Sequence, residues 1–407
     1  MKKVITFIMA GGKGERLYPL TKDRTKPAVP FGGIYRIIDF TLSNCINSNL
    51  RKIYILTQYK SASLNKHIRL GWNIFSSELG EHIEILPAQQ RVGESWYLGT
   101  ADAIYQNLYL LDVDKPDDVL ILAGDHIYKM NYYSMIDFHR AKSADLTVGV
   151  VEVDKEKASH FGVVEVDNKG SVIGFQEKPS EPKAILSKPD KIYASMGIYV
   201  FKYPVLEKEL QEDTKDSKSL HDFGKNIIPH MLNKGYKIAA HNFIDENKKE
   251  AKYWRDIGTI DAYYDANMDL VQIDPVFNLY DKNWPIRTHQ EQFPPAKTVF
   301  AGGEISERIG LVLDSLISGG CIISGGKVQR SILSPNVRIN SFSQVYDSIL
   351  MEGVNVGRHS KIKRAIIDKD VNIPEGAVIG YNLEEDRKRF TVSENGIVVV
   401  EKRADIK

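Results

Sequence analysis

The chain has 407 residues, of which 43% are hydrophobic and 26% charged, with 54 Lys and Arg against 53 Asp and Glu. This composition indicates a globular protein of two or three domains, without the basic excess of a nucleic-acid-binding protein. No stretch approaches the roughly 18 apolar residues of a membrane span, Met1-Lys2-Lys3 leads directly into a strand, and two cysteines cannot form a disulfide framework. We therefore expect a cytoplasmic protein without a targeting peptide, whose partners include neither nucleic acid nor membrane.

Short aliphatic runs alternate with longer mixed segments over about the first two thirds of the chain. The aliphatic runs predict buried strands at Val4–Met9, Ile53–Leu56, Val119–Leu122 and Leu146–Val151. Two segments with helical spacing of apolar residues, Ile34–Asn49 and Thr100–Leu111, lie between them. Strands that alternate with helices predict an α/β fold with a doubly wound, mostly parallel sheet, and ligands bind at the carboxyl ends of such strands.

A glycine-rich loop follows the first predicted strand. Gly11, Gly12 and Gly14 allow the backbone to approach an anion closely, and Arg16 and Lys26 add positive charge nearby. The spacing fits neither the dinucleotide fingerprint nor the P-loop. The loop indicates a binding site for nucleotide phosphates, with a glycine-rich turn that binds nothing as the alternative.

Two aspartates are candidate magnesium ligands. Asp125 follows the strand Val119–Leu122, and Asp256 follows an aromatic stretch and precedes a glycine. Mg²⁺ needs only one or two protein carboxylates, although spacing alone does not pair these two, and Asp125 would also suit a helix N-cap. His126 has no other histidine at ligand spacing, so we expect a hydrogen-bonding role for it. Glu177-Lys178-Pro179 follows a strand-like run at Ser171–Phe175 and by itself indicates only a turn.

The carboxyl-terminal part contains two segments with distinct residue patterns. Pro275, Pro285, Pro294 and Pro295 indicate a linker. Beyond it, aliphatic residues recur every five or six positions, at Leu333, Ile339, Val345, Leu350, Val356, Ile362, Ile367, Ile373 and Ile379. This hexad is typical of a left-handed parallel β-helix, whereas the turns of a sandwich recur more slowly. We expect a catalytic domain at 1–274, a linker at 275–312 and a β-helix with its tail at 313–407.

Extended motifs make the sequence similar to a known family. Ala10-Gly11-Gly12-x-Gly14-x-Arg16-Leu17-x-Pro19-Leu20-Thr21 with Lys26-Pro27 resembles the signature of sugar-nucleotide pyrophosphorylases. Further strings resemble the bacterial glucose-1-phosphate adenylyltransferases, also called ADP-glucose pyrophosphorylases, and the likeness runs to about Val400. These strings include Pro87-Ala88-Gln89-Gln90-Arg91, Trp96-Tyr97-x-Gly99-Thr100, Gly124-Asp125-His126-Ile127-Tyr128, His221-Asp222-Phe223-Gly224 and Tyr253-Trp254-Arg255-Asp256.

The resemblance implies an Mg²⁺-dependent transfer from ATP to glucose 1-phosphate that yields ADP-glucose, the precursor of glycogen. The residues that it assigns to catalysis are Asp125, Arg16 and Lys26, with Asp125 and Asp256 as metal ligands. For ATP, the corresponding residues are Gly11, Gly12, Gly14, Arg16, Lys26, Gln89, Tyr97, Gly99 and Thr100. For glucose 1-phosphate, they are Tyr97, Gly162, Glu177, Lys178, Ser195, Tyr199, Asp222, Phe223 and Trp254. A pyrophosphorylase for another nucleoside triphosphate and a non-catalytic regulatory subunit of this family remain alternatives.

The resemblance also implies a homotetramer that responds to small effectors, namely AMP or orthophosphate and a glycolytic intermediate. Candidate residues for an anionic effector are Arg24, Arg36, Arg358, Arg364, Arg387 and Lys402, although such a basic set also suits a solvated surface. Asp23 stands where enteric relatives have a lysine that is important for the activator. This difference favours an activator other than fructose 1,6-bisphosphate.

Overall fold

A computed structural model describes residues 3–89, 96–245, 250–300 and 308–406. The amino-terminal part is built on a nine-stranded sheet flanked by helices. The strands of this part that position the site are β1 (Val4–Met9), β2 (Lys52–Thr57), β3 (His82–Pro87), β4 (Asp118–Ala123), β5 (His126–Tyr128), β6 (Leu146–Asp154), β7 (Gly162–Val166), β8 (Val172–Glu177), β9 (Lys191–Lys202), β10 (Ile238–Asn242) and β11 (Trp254–Asp256). The α-helices are α1 (Ile37–Asn47), α2 (Ala62–Gly71), α3 (Thr100–Tyr105), α4 (Leu108–Asp114), α5 (Tyr132–Ala141), α6 (Tyr203–Asp213), α7 (Ile228–Asn233), α8 (Ile260–Met268) and α9 (Leu383–Arg389).

The four predicted strands are confirmed as β1, β2, β4 and β6, and the first predicted helix is α1. The second predicted helix is two helices, α3 and α4. They separate at residues 106 and 107, where the amide of Asn107 donates to the carbonyl of Ala103 at 2.8 Å. Such local side-chain bonds to the backbone compete with continuation of a helix.

The main sheet runs in the order β8-β7-β9-β4-β1-β2-β3, and β6 pairs with both β9 and β10. Strands β4, β1, β2 and β3 are parallel to one another, as the alternating pattern predicts. The long strand β9 runs antiparallel to β4, β6 and β7. The carboxyl ends of β1, β2 and β4 therefore share one edge, and the glycine loop and Asp125 leave the sheet there.

Apolar side chains cover both faces of the sheet. From β1, Phe7 joins a cluster that includes Leu206 of α6, whereas Ile8 joins a second cluster that includes Leu42 of α1. A parallel strand with helices on both sides is buried on both faces. This double burial explains why the run Val4–Met9 is apolar without alternation.

The carboxyl-terminal part is a parallel β-helix of three sheets. One sheet stacks Lys297–Val299, Ile322–Ser324, Arg338–Ile339, Asn355–Val356 and Asn372–Ile373. The second stacks Leu311–Leu313, Lys327–Gln329, Gln344–Tyr346, Lys361–Lys363 and Val378–Ile379. The third contains Leu316–Ile317, Ile332–Leu333, Ile349–Leu350, Ala365–Ile367, Val398–Val400 and the antiparallel Thr391–Val392. All nine aliphatic residues of the predicted hexad lie in the core of this solenoid.

The segment predicted as a linker lies against the first domain. Trp284 Nε1 donates to Asn44 Oδ1 at 2.8 Å, and Thr288 Oγ1 donates to Asp39 Oδ2 at 2.6 Å. Its strand Lys297–Val299 already pairs with Ile322–Ser324 of the solenoid, so strand pairing begins before residue 313. The division at residues 274 and 312 stays a prediction.

A third apolar cluster joins the two parts, with Leu17, Phe31 and Phe40 on one side and Ile349 and Val399 on the other. Beside it, both carboxylate oxygens of Asp368 accept hydrogen bonds from Arg24 Nη2 at 2.9 Å. The β-helix thus packs against the segment that follows the glycine loop. Within the described ranges, every helix is too short or too polar to cross a bilayer.

Candidate active site

The glycine loop forms one wall of a cleft of about 520 Å³ at the carboxyl edge of the sheet. Gly12, Gly14, Arg16, Lys26 and Asp125 all line this cleft. Gly14 has a φ of 66°, and a β-carbon there would lie 3.1 Å from Lys26 Cβ and 3.1 Å from Thr21 Cγ2. A side chain at this left-handed position would be strained and tightly packed, which favours glycine. The loop is therefore folded down onto Lys26.

The floor of the cleft holds a lysine between two aspartates. Lys26 Nζ lies 2.7 Å from Asp125 Oδ2 and 3.0 Å from Asp256 Oδ1. Strand β11 runs antiparallel to β5 with Asp256 opposite His126, and this pairing brings Asp256 beside Asp125. Asp125 is followed directly by strand β5, so the helix N-cap interpretation is wrong.

The charges of this cluster fix its protonation. Burial by itself would lower the pKa of Lys26, but the carboxylates of Asp125 and Asp256 outweigh it and raise the pKa. Burial would likewise raise the pKa of Asp125, and Lys26 outweighs it and holds that pKa below its ordinary value. Both groups are therefore charged around neutral pH.

The donor set suits a divalent cation. Asp125, His126 and Asp256 each offer one ligand atom, and these three atoms lie within 4.8 Å of one another. The ammonium of Lys26 already sits between the two carboxylates, so the electrostatics of this position favour a cation. Carboxylate oxygens are the ligands that Mg²⁺ prefers, and the residues present fit such an ion.

Arg16 lies at the side of the same cluster. A β-carbon on Gly258 would be 3.3 Å from Arg16 Nη2 and 3.1 Å from Asp256 Oδ2. Gly258 thus leaves room for the guanidinium and the carboxylate to approach each other. Sequence reasoning did not single out Gly258, although its place two residues after Asp256 was a usable signal.

A second cluster lies beside the first and contains most of the residues predicted for glucose 1-phosphate. Lys178 Nζ lies 3.4 Å from Glu177 Oε1, and the rings of Tyr199 and Phe223 are 5.6 Å apart. Ser195 Oγ is 3.4 Å from Tyr199 Oη. Burial, with the nearby carboxylates of Asp222 and Glu177, raises the pKa of Tyr199, so its hydroxyl stays protonated.

Close packing keeps two glycines of this second cluster free of side chains. A β-carbon on Gly162 would lie 2.5 Å from Phe175 Cζ and 3.0 Å from Glu177 Oε2. One on Gly224 would lie 2.8 Å from the same carboxylate oxygen. The glycines therefore let Glu177 reach the space next to the Phe223 loop.

Trp254 and His126 connect the two clusters. Their rings are 5.0 Å apart in an edge-to-face arrangement, and His126 Nε2 is 3.5 Å from Asp125 Oδ1. Trp254 Nε1 and His126 Nδ1 are buried without a hydrogen-bond partner among the described residues. Buried polar atoms without partners are costly, and these two lie where the clusters meet.

Of the residues predicted to border the base, Tyr97 lies near the glycine loop and is joined to it through Gln58. The main-chain oxygen of Tyr97 accepts from Gln58 Nε2 at 3.4 Å, and a β-carbon on Gly11 would lie 3.2 Å from Gln58 Cβ. Gln58 was missed, although it directly follows β2 and so lies at the same sheet edge. Gln89 is exposed, and the end of its motif, at residues 90 and 91, lies outside the described residues.

The six candidate effector residues do not form one cluster. Arg24 is buried in its ion pair with Asp368, and Arg364 Nη2 donates to the carbonyl of Asn395. Of the six, Arg36 alone lines a cavity of about 200 Å³ between the two domains. His67, His289, Glu352 and Lys369 line it as well, and sequence reasoning missed all four.

Comparison with known proteins agrees with this geometry. Residues 5–273 match the nucleotidyl transferase family model, and residues 294–400 match the GlmU-like C-terminal hexapeptide model. Fold and cleft thus define a nucleotidyl transferase with a left-handed β-helix of hexapeptide repeats.

Curated relatives narrow the class. The chain is 59% identical to the glucose-1-phosphate adenylyltransferase of Koribacter versatilis, over 98% of this chain and 95% of the relative. It is 54% identical to that of Rhodopirellula baltica, over 98% and 90%. The glucose-1-phosphate adenylyltransferase 2 of Vibrio cholerae is 51% identical, over 98% of both chains. The chain belongs to the glucose-1-phosphate adenylyltransferase family.

Proposed function

We propose that this chain transfers the adenylyl group of ATP to glucose 1-phosphate and releases pyrophosphate, forming ADP-glucose for α-glucan synthesis. The observation that carries the proposal is the Lys26 ammonium held between Asp125 and Asp256 at the floor of a glycine-walled cleft. The names of the relatives support the two substrates.

Each wall of the site has a part in this reaction. Gly11, Gly12 and Gly14 bind the triphosphate through the backbone, and Arg16 and Lys26 neutralise it. Gln89, Tyr97, Gly99 and Thr100 border the adenine and ribose. Glucose 1-phosphate occupies the second cluster, bound by Tyr97, Gly162, Glu177, Lys178, Ser195, Tyr199, Asp222, Phe223 and Trp254.

The reaction needs no general base, because a phosphate monoester is largely a dianion at neutral pH, its second pKa being about 6. The chief barrier is repulsion between that dianion and the triphosphate. Lys26 and Arg16 on one side and Lys178 on the other reduce this repulsion and orient the attacking oxygen opposite the pyrophosphate. Asp125 and Asp256 would hold Mg²⁺, which supplies further charge neutralisation when bound.

A triphosphate panel tests the proposal. Purified protein is incubated with glucose 1-phosphate, Mg²⁺ and either ATP, UTP, dTTP or GTP, and pyrophosphate release is measured. We expect ATP to give the highest kcat/KM and a chelator to abolish turnover. A faster reaction with UTP, dTTP or GTP would contradict adenylyl transfer, and no turnover with any of the four would contradict the function altogether.

We also propose that an anionic effector binds in the cavity between the domains. Arg36 and Lys369 place two cationic side chains in the lining of this cavity, beside the carboxylates of Glu291 and Glu352, and the family resemblance supports AMP, orthophosphate or a glycolytic intermediate as the ligand. The two cysteines are free and buried, as suits a reducing cytoplasm. A homotetramer is proposed on the same resemblance and is tested by light scattering.

Rates measured with AMP, orthophosphate, pyruvate, phosphoenolpyruvate and fructose 1,6-bisphosphate test the effector site. At least one of them should change the rate in wild type and lose its effect in Arg36→Ala. Effectors that act equally on both proteins would contradict this location.

A further inference from the structure

The loop that carries Asp222 and Phe223 is held at its base by a half-buried hydrogen bond between His221 and Asp213. His221 Nδ1 lies 2.7 Å from Asp213 Oδ2, and the two side chains are 13% and 11% exposed. Ser219 Oγ donates to the other oxygen of Asp213 at 2.6 Å and accepts from His221 N at 2.9 Å. We call residues 219–225 the sugar-side loop. Its entry is therefore fixed to the end of α6.

The sugar-side loop touches the nucleotide side of the cleft through its backbone. His221 has a φ of 51°, and its carbonyl accepts from Ala101 N at 2.8 Å in the first turn of α3. A β-carbon on Gly99 would lie 2.2 Å from this same carbonyl oxygen. The contact is too close for any residue but glycine at position 99.

The hydroxyl of Thr100 completes the contact. Thr100 Oγ1 donates to Asp222 Oδ2 at 3.0 Å and accepts from Phe223 N at 3.1 Å. The other oxygen of Asp222 accepts from Gly224 N and Lys225 N. Both oxygens of this carboxylate are thus oriented, one by the loop itself and one by Thr100.

We propose that Thr100 is a positioning residue for glucose 1-phosphate, acting through Asp222 and Phe223, although its neighbours Tyr97 and Gly99 border the nucleotide. The inference rests on the proposed function. The side chain of Thr100 is engaged on the sugar side, so its hydroxyl is not a contact for adenine or ribose. Removing the hydroxyl frees one oxygen of Asp222 and the backbone N–H of Phe223, while the backbone bond from Ala101 to His221 remains.

Kinetics of three variants test this assignment. Thr100→Val, which keeps the shape and loses the hydroxyl, should raise the KM for glucose 1-phosphate about tenfold and change the KM for ATP less than about twofold. Thr100→Ser restores the hydroxyl and should recover most of the loss. Thr214→Val is the matched control, because among the described residues Thr214 Oγ1 donates to the carbonyl of Gln211, three positions earlier in the chain.

A larger rise in the KM for ATP, or unchanged constants for both substrates, would overturn the assignment. If Thr100→Val does not fold, Asp213→Asn loosens the base of the sugar-side loop and should raise the same KM selectively; constants equal to wild type would then overturn it. Calorimetric titration with glucose 1-phosphate alone gives a second measurement, namely the dissociation constant of this substrate. Wild type without any turnover would refute the proposed function instead, so the two failures are distinguishable.

Discussion

At the scale of single residues, the function of Asp125 depends on the two charged side chains beside it. Its carboxylate contacts Lys26 directly and faces Asp256 across that ammonium. Sequence reasoning found Asp125 from its position after a buried strand. It could pair Asp125 with Asp256 only by family resemblance, because the antiparallel contact of two three-residue strands leaves no periodic signal.

Asp125→Asn should fold normally and lose several orders of magnitude in kcat, because a neutral amide holds Mg²⁺ poorly and leaves Lys26 with one carboxylate. Steady-state kinetics at saturating substrates measure the loss. Asp117→Asn is the control, since Asp117 is exposed and directly precedes β4, at the end of the strand opposite to Asp125. Near-normal turnover in Asp125→Asn would remove this residue from the mechanism.

Lys178 is expected to act on one substrate alone. Lys178→Ala should raise the KM for glucose 1-phosphate and leave that for ATP nearly unchanged, because Lys178 lies beside Glu177 in the second cluster. Lys183→Ala, five residues further along the chain, removes an exposed lysine paired with Glu165 and serves as control. Equal constants in Lys178→Ala and wild type would refute the assignment.

At the scale of elements, strands were easier to predict than their pairing. The run Val4–Met9 is followed closely by Gly11 and Gly12, which do not favour a strand, so the apolar pattern alone located β1. The antiparallel direction of β9 and the break between α3 and α4 depend on tertiary contacts and on one asparagine side chain. The sugar-side loop was recognisable only as a motif, because its shape depends on the long-range bond from Thr100 to Asp222.

The packing of α5 on the sheet makes stability depend on pH. His139 is buried, with Nδ1 2.8 Å from Thr147 Oγ1, and burial lowers its pKa to about 4. The unfolded chain, with an ordinary pKa of about 6.5, therefore binds a proton that the native state does not. The contribution of His139 to the free energy of unfolding is fully present above about pH 6.5. It is lost as the pH drops from about 6.5 toward 4, which lowers that free energy by up to about 3 kcal/mol.

Urea denaturation at several pH values, for wild type and His139→Gln, measures this contribution. Glutamine can keep a hydrogen bond to Thr147 but does not titrate. The variant should therefore lose less stability than wild type between pH 7 and pH 5. Parallel curves for the two proteins would contradict the assignment.

At the scale of the whole molecule, the β-helix is the part whose pattern was most informative. One aliphatic residue per short strand predicted the solenoid, and the nine residues of the hexad form its interior. The way in which the solenoid sits on the first domain was beyond prediction. It depends on Arg24 and Asp368, which are 344 positions apart, and on a linker that docks on α1 through polar contacts.

The buried ion pair of Arg24 and Asp368 should stabilise the contact between the first domain and the β-helix. Asp368→Ala leaves the Arg24 cation without its carboxylate and should cost about 3 kcal/mol, measured by the shift of the urea midpoint. Asp370→Ala breaks the exposed pair with Arg403 two residues away and should cost far less. Equal shifts for both variants would show that burial of the pair has no energetic consequence.

The central claim is that Asp125 and Asp256 jointly hold a divalent cation beside the bound nucleotide. Titration with Mn²⁺ in the presence of ADP-glucose, followed by the electron paramagnetic resonance signal of the free ion, tests this claim most directly. We predict tight binding in wild type and at least about tenfold weaker binding in both Asp125→Asn and Asp256→Asn. Wild-type affinity in either folded variant would contradict the account.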